Sequence, residues 1–299
     1  MKNRPKIIVI VGQTATGKSD LAVQIAKKIN GEVISADSRQ VYRGLNIGSG
    51  KITKKEMAGV PHHLLDVANP KRIFSVFEYK QKAEKVLERI WAKGKTPILV
   101  GGTGQYIEAV IDNVTFPEVP PNKKLRLKLE NISISKLQNK LKKLDPRRFK
   151  EIDQNNPVRL IRAIEIAIHL GKVPKVKKSK RDFDLLILGL KTDKETLHKR
   201  IHLRLLGRIR KGMVAEVRKL HRQGLSWKRM ESLGLEYRYL GWYLQGKLNK
   251  QEMLGQLEKE IVKYAKRQHT WFKRNKVIKW FDLKNQESCL KLVQDFVID

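Results

Sequence analysis

Five short apolar runs punctuate the chain: Ile7–Val11, Glu32–Ala36, Pro97–Val100, Leu185–Leu190 and Val277–Phe281. Each has four to six residues, rich in Val, Ile and Leu and bounded by Gly, Asp or Lys. Near-continuous apolar character, rather than strict alternation, is the pattern of strands buried on both faces of a parallel sheet. Between them lie stretches of helical period, Ser19–Asn30, Phe77–Lys93 and a long one over Leu197–Arg222. Strand and helix in alternation predict an α/β fold with a doubly wound parallel sheet.

The alternation stops near Thr115. Pro117, Pro120 and Pro121 open a segment in which Leu125 and Leu129, then Leu137, Leu141 and Leu144, then Leu160, Ile164 and Ile168 recur at helical spacing. No strand pattern is visible there. Gly171 and a lysine-rich stretch, Lys172–Arg181, close it. The expected organisation is a core over 1–114 and 182–299 with an inserted all-helical domain over 115–181. The lysine-rich stretch reads first as a solvated linker. A terminal helix, Ser288–Ile298, carries Cys289, to which no role is assigned.

Charge then narrows the partner. The 299 residues include 64 Lys or Arg against 30 Asp or Glu, a net charge of +34. The excess is spread evenly, net +11 over the first hundred residues and +23 over the rest. It is therefore not a basic tail on a neutral enzyme. A lysine-rich background accounts for part of it, and a polyanion such as nucleic acid accounts better for the whole. With 40% apolar residues the chain can bury a sizeable core and is not a disordered arm. One cysteine excludes a disulfide framework and a multi-cysteine zinc site. The first apolar run is too short to span a bilayer and leads straight into a glycine loop. A cytoplasmic protein with no membrane partner is expected.

That loop, GQTATGKS over Gly12, Gln13, Thr14, Ala15, Thr16, Gly17, Lys18 and Ser19, fits G-x-x-x-x-G-K-[ST] and sits between a strand and a helix. Its backbone N–H groups and the helix N-terminus would cradle a phosphate chain. Lys18 would reach the terminal phosphates, and the Ser19 hydroxyl would hold Mg²⁺. The core is thus P-loop NTPase-like. The motif alone does not say whether phosphate is transferred or leaves, and nucleotide- and ATP-binding proteins share it. No strand here ends in the usual metal-binding acid of a hydrolysing NTPase. Glu32–Ala36 does run into an acid, Asp37, expected beside the glycine loop as a base for an incoming nucleophile. A cap on the following turn is the plainer reading of Asp37.

Five blocks then carry a resemblance: Asp37–Gly48 (DSRQVYRGLNIG), Pro61–Asp66 (PHHLLD), Gly101–Ile107 (GGTGQYI), Asn156–Glu165 (NPVRLIRAIE) and Tyr264–Phe272 (YAKRQHTWF). In this order and spacing, over nearly the whole chain, the sequence resembles the tRNA dimethylallyltransferase family in its short bacterial form. The resemblance implies transfer of a dimethylallyl group from dimethylallyl diphosphate to an adenosine's exocyclic amine. That adenosine lies 3′-adjacent to the anticodon in tRNAs reading U-starting codons, and diphosphate is released. The glycine loop would then hold a leaving group rather than ATP. Gln13 and Thr16 stand where the family more often has Pro and Ser, and Arg208 where many members have Met.

The amine of adenine is a weak nucleophile, so a carboxylate positioned to take its proton speeds attack. Asp37 falls on the family's catalytic acid. The resemblance adds Thr103 as a contact to the adenosine or diphosphate, and a helix N-cap is its plainer reading. Arg200, Arg204 and Arg208 share one helix face, where an anion would offset their mutual repulsion. By family position Arg204 is the one that meets diphosphate, and a solvated basic face suits Arg200 and Arg208 better. Asp37, Ser38, Arg39, Gln40 and Thr103 are candidates to hold the extruded nucleotide. Arg126, Arg159 and Arg162 on the insertion are candidates for the anticodon stem-loop. So are Lys266, Arg267, Gln268, Thr270 and Trp271 on a C-terminal helix whose Lys263, Arg267, Thr270 and Arg274 form a basic face. Core packing is the readier account of Trp271. His62 and His63 lack a third metal ligand and read as structural or site-lining. A monomer is expected.

Three other readings remain. A small-molecule P-loop kinase shares the loop and the acid. An isopentenyltransferase acting on free adenine nucleotides shares the core motifs. A non-catalytic RNA-binding protein would need neither Asp37 nor Lys18.

Overall fold

In the computed structural model the described residues are 4–175, 177–178, 182–282 and 286–298. In chain order the elements are β1 (Lys6–Gly12), α1 (Lys18–Lys28), β2 (Glu32–Ser35), α2 (Lys54–Met57), β3 (His62–His63), α3 (Val76–Ala92), β4 (Pro97–Gly101) and α4 (Gly104–Ile111). There follow β5 (Val114–Thr115), α5 (Lys123–Glu130), α6 (Ile134–Leu144), α7 (Pro146–Glu151), α8 (Pro157–Leu170) and β6 (Lys177–Lys178). The chain ends with β7 (Asp184–Lys191), α9 (Lys194–Arg210), α10 (Met213–Arg222), α11 (Trp227–Leu233), α12 (Leu235–Leu244), α13 (Lys250–Lys273), β8 (Lys279–Asp282) and α14 (Gln286–Ile298). It divides into two units, Met1–Asn113 with Lys180–Asp299, and Val114–Ser179. No helix among the described residues is long and apolar enough to cross a membrane.

The larger unit is built on a six-stranded parallel sheet, ordered β3-β2-β4-β1-β7-β8. β1 lies at its centre, with Ile7 to Val11 buried on alternating faces: Ile7, Val9 and Val11 in one core, Ile8 and Ile10 in the other. That two-sided burial is why these strands read as unbroken apolar runs. α1 and α14 cover one face, where Leu21 and Ile25 meet Cys289 and Val293. The other core gathers α3, α4 and the helices from α9 to α13.

Four expectations are corrected. The sixth strand, β3, is a two-residue edge pairing Val33 with His62 and Ile34 with His63. The expected long helix is two, α9 and α10, because the chain turns at Gly212 with φ 93°. β2 is not next to β1, since β4 pairs with both. The last strand runs over Lys279–Asp282, not from Val277, which is exposed. His63 is structural: its Nε2 lies 2.8 Å from Glu32 Oε2. Burial alone would raise the Glu32 pKa, but hydrogen bonds from His63, Lys95 and Lys93 outweigh it and hold the carboxyl down at about 2.

The smaller unit is not purely helical. β5 and β6 pair antiparallel, Val114 with Lys178 and Thr115 with Lys177. The lysine-rich stretch therefore does more than link where it is described, and its residues 176 and 179–181 lie outside the described residues. Leu129, Leu137, Leu141, Leu160 and Ile164 form the core, whereas Ile168 is exposed. Glu165 is buried in this unit at 2% side-chain exposure. Its carboxylate accepts from Arg126 Nε and Nη2 at 2.9 and 2.7 Å, from Asn122 N at 2.6 Å and from Arg162 Nη1. Burial works against that charge, and these bonds still hold the carboxyl below its ordinary range. Glu165→Ala strands two partly buried guanidiniums and is expected to cost about 3 kcal/mol, read as a lowered midpoint in thermal unfolding of the whole chain. An unchanged midpoint would show that the cluster is not structural.

Candidate active site at the carboxyl ends of the central strands

In an open α/β sheet, ligands bind beyond the carboxyl ends of the strands, where the strand order reverses. Here β1 runs into the glycine loop, β2 into Ala36 and Asp37, and β4 into Gly102 and Thr103. All three ends open on one cavity of about 640 Å³. Thr14 to Ser19, Asp37 to Gln40, Arg200, Arg204, Arg208, Glu236 and Tyr264 line it.

The glycine loop is shaped by local bonds. Gly17, in the left-handed region at φ 80°, turns the chain into α1. Thr16 is fully buried and donates to Gln13 O at 2.8 Å. Lys18 Nζ donates to the same carbonyl. Burial, with Arg204 close by, pushes the Lys18 pKa down to about 7, and Asp37 pulls against both. Burial and then Arg208 push Arg204 down to about 10. Both groups are therefore short of counter-charge. An anion bound between them would supply it.

Asp37 does cap the following turn, and that does not compete with its place in the cavity. Its Oδ1 accepts from Arg39 N at 2.8 Å and Gln40 N at 3.2 Å, while Oδ2 has no hydrogen-bond partner among the described residues. Thr103 occupies the N-cap position of α4 without capping it through its side chain. Its Oγ1 instead accepts from Ser38 N at 3.0 Å, tying β4 to the Asp37 turn. Gln40 is held at both ends, accepting from Ser35 Oγ at 3.4 Å and donating to Gly50 O at 3.3 Å. Arg39 reaches back to Ser38 O at 3.2 Å.

Several residues expected to meet RNA have other work. Gln268 is buried: it accepts from Thr14 N at 2.7 Å and donates to Gly102 O at 3.0 Å, clamping the glycine loop to the end of β4. Gln13 Nε2 donates to Ala265 O at 3.2 Å beside it. Trp271 packs under Gly104, where a Cβ would overlap the indole. Arg126 and Arg162 are held by Glu165. Arg159 is exposed, its guanidinium 3.7 Å from Asp153. Lys266, Arg267 and Thr270 are exposed on α13, with Arg267 over the Tyr264 ring.

The site also holds one group that reads differently from sequence alone and three that the sequence did not single out. Arg208 is no solvated residue: it is 13% exposed and pairs with Glu236 at 3.1 Å. Tyr264 lines the cavity, and burial, with Asp37 adding to it, pushes its hydroxyl up to about 12. Glu216 accepts from the backbone N–H groups of Asn46, Ile47 and Gly48 at 2.7–3.0 Å, fixing the loop that forms one wall. Only Tyr264 fell inside a recognised block. Glu216 and Glu236 lay in helices with ordinary charge patterns.

The IPP transferase family model matches residues 40–275. A tRNA dimethylallyltransferase 2 of Treponema denticola is 42% identical over 92% of this chain and 93% of its own length. That of Clostridioides difficile is 38% identical over 100% of this chain and 98% of its own. Among solved structures, the tRNA isopentenylpyrophosphate transferase of Bacillus halodurans superposes with TM-score 0.75 at 35% identity, covering 98% of this chain and 96% of that one. A eukaryotic dimethylallyltransferase acting on tRNA superposes with TM-score 0.85 at 27% identity, covering 98% of this chain and 79% of that one. Family match, relatives and fold agree, and the chain belongs to the IPP transferase family, the tRNA dimethylallyltransferases, which are prenyltransferases.

Proposed function

We propose that this protein transfers a dimethylallyl group from dimethylallyl diphosphate to the exocyclic amine of the adenosine 3′-adjacent to the anticodon, in tRNAs reading U-starting codons. The observation that carries it is the meeting of a carboxylate, Asp37, with the cations Lys18 and Arg204 in one cavity. The amine nitrogen forms a bond to the allylic carbon as the carbon–oxygen bond to diphosphate breaks. The oxygen leaves with the bonding electrons, and the amine's proton passes to Asp37 Oδ2. Lys18, Arg204 and the N-terminus of α1 meet the growing charge on the leaving group.

No group of three His, Cys, Asp or Glu side chains among the described residues could hold a metal ion by itself. The Ser19 hydroxyl, at the start of α1 and lining the cavity, would serve as a protein ligand for Mg²⁺ carried largely by phosphate oxygens. When bound, the ion would neutralise part of the diphosphate charge. Loop adenosines are extruded more cheaply than paired ones. Ser38, Arg39, Gln40 and Thr103 line or adjoin the place where the base would enter. Arg159 on the insertion and Lys266, Arg267 and Thr270 on α13 offer exposed contacts for RNA phosphates. We place the protein with the tRNA pool in the cytoplasm, acting as a monomer.

Labelled dimethylallyl diphosphate with Mg²⁺, offered unmodified tRNA or AMP, tests the reading. Label is expected in tRNA. Label in AMP alone would reassign the acceptor, and ATP-dependent phosphorylation without prenyl transfer would reassign the reaction.

A further inference from the structure

Arg204 and Arg208, one turn apart on α9, bring their guanidiniums together at the cavity wall. A Cβ placed on Gly50, where φ is +59°, would overlap Arg208 Nη2 and approach Arg204 Nη2 at 2.5 Å, so those two nitrogens lie within about 4 Å of each other. Two like charges that close, half removed from water, repel strongly. Arg204 Nη1 points at the glycine loop, donating to Thr14 Oγ1 at 3.2 Å. Arg208 Nη1 points away, donating to Glu236 Oε1 at 3.1 Å and to Gly48 O at 3.4 Å. Glu236 is itself buried at the cavity edge. Burial pushes its carboxyl up, and Arg208 works against that shift.

We propose that Arg208 and Glu236 form a charge-matched pair that positions Arg204 for the leaving diphosphate. Arg208 fills the space beside Arg204 and leaves it one direction to point, toward Thr14. Glu236 cancels the charge that Arg208 would otherwise add to the site, so diphosphate is held through the reaction and still released after it. Gly50 is the residue that leaves room for both guanidiniums. The pair rests on the reading of this cavity as a diphosphate site.

The test measures binding of inorganic diphosphate, with Mg²⁺, to the full chain by titration calorimetry. Arg208→Met keeps a long stem and removes the charge, leaving Glu236 buried and unpaired beside a polyanion. Diphosphate is expected to bind about tenfold more weakly. Glu236→Gln keeps the shape and an acceptor for Arg208 Nη1 while freeing its charge, and binding is expected to tighten about threefold or more. The double variant is expected to recover most of what Arg208→Met loses. In turnover, Arg208→Met should raise KM for dimethylallyl diphosphate and leave KM for tRNA in place. A merely structural pair would weaken binding in both single variants and move both KM values together; that pattern overturns the proposal. If Arg208→Met does not fold, the sign of the Glu236→Gln effect decides alone. Absence of diphosphate binding by the wild-type chain would overturn the site reading itself, whereas binding in the wrong order overturns only the pair.

Discussion

Asp37→Asn is expected to slow prenyl transfer by about 10²–10⁴-fold while tRNA affinity stays within about threefold of wild type. Asparagine is the informative replacement because of how Asp37 is held. Its Oδ1 accepts from the amides of Arg39 and Gln40, and an amide oxygen can accept both. The turn carrying Ser38, Arg39 and Gln40 therefore survives, and only the ability to take a proton is lost. Alanine would remove base and turn together and confound the two. Single-turnover rates with saturating prenyl donor, set beside a direct tRNA binding measurement, separate the outcomes. A variant that keeps transfer within tenfold of wild type would remove Asp37 from the role of base.

The strands that place this residue were legible because each is buried on both faces, which demands an unbroken apolar run. The glycine loop was legible because its turn admits few residue types. β3 was not, since a two-residue edge needs no apolar run and His62 and His63 carry no strand signal. The break at Gly212 was hidden because the apolar period continues across it, with Leu205 and Met213 both buried. Residue type misled most where one side chain can serve two ends. Gln268, Arg126 and Arg162 look like groups offered to RNA, yet each also bonds a partner distant in sequence within its own unit, Gln268 with Thr14 N and Gly102 O, Arg126 with Glu165 and Arg162 with Val119 O. Such pairings are set by tertiary proximity, which local spacing does not encode. The same holds for Arg208: its helix face was readable, but the carboxylate facing it comes from α12.

Lys18→Met is expected to lower kcat by about 10²–10³-fold, the loss seen when one donor to a developing anion is removed. The same change should stabilise the fold, and the reason lies in the direction of the Lys18 shift. In the folded chain its pKa is about 7, against 10.5 for an ordinary lysine. Between those values the unfolded chain holds a proton that the folded chain lacks, so stability rises with pH across that window. Below pH 7 the folded chain carries the buried ammonium, and its burden is present in full. Methionine removes the burden. The thermal midpoint of Lys18→Met should therefore exceed that of wild type at pH 6, and the gap should close by pH 10. Diphosphate reverses the shift, because an anion beside Nζ favours the charged form. At pH 8, titration calorimetry in buffers of different ionisation enthalpy should show wild type taking up a proton on binding diphosphate that Lys18→Met does not. A midpoint that falls equally at both pH values, together with no difference in proton uptake, would mean that Lys18 is not held in wait for an anion, and the glycine loop would lose its assignment to the leaving group.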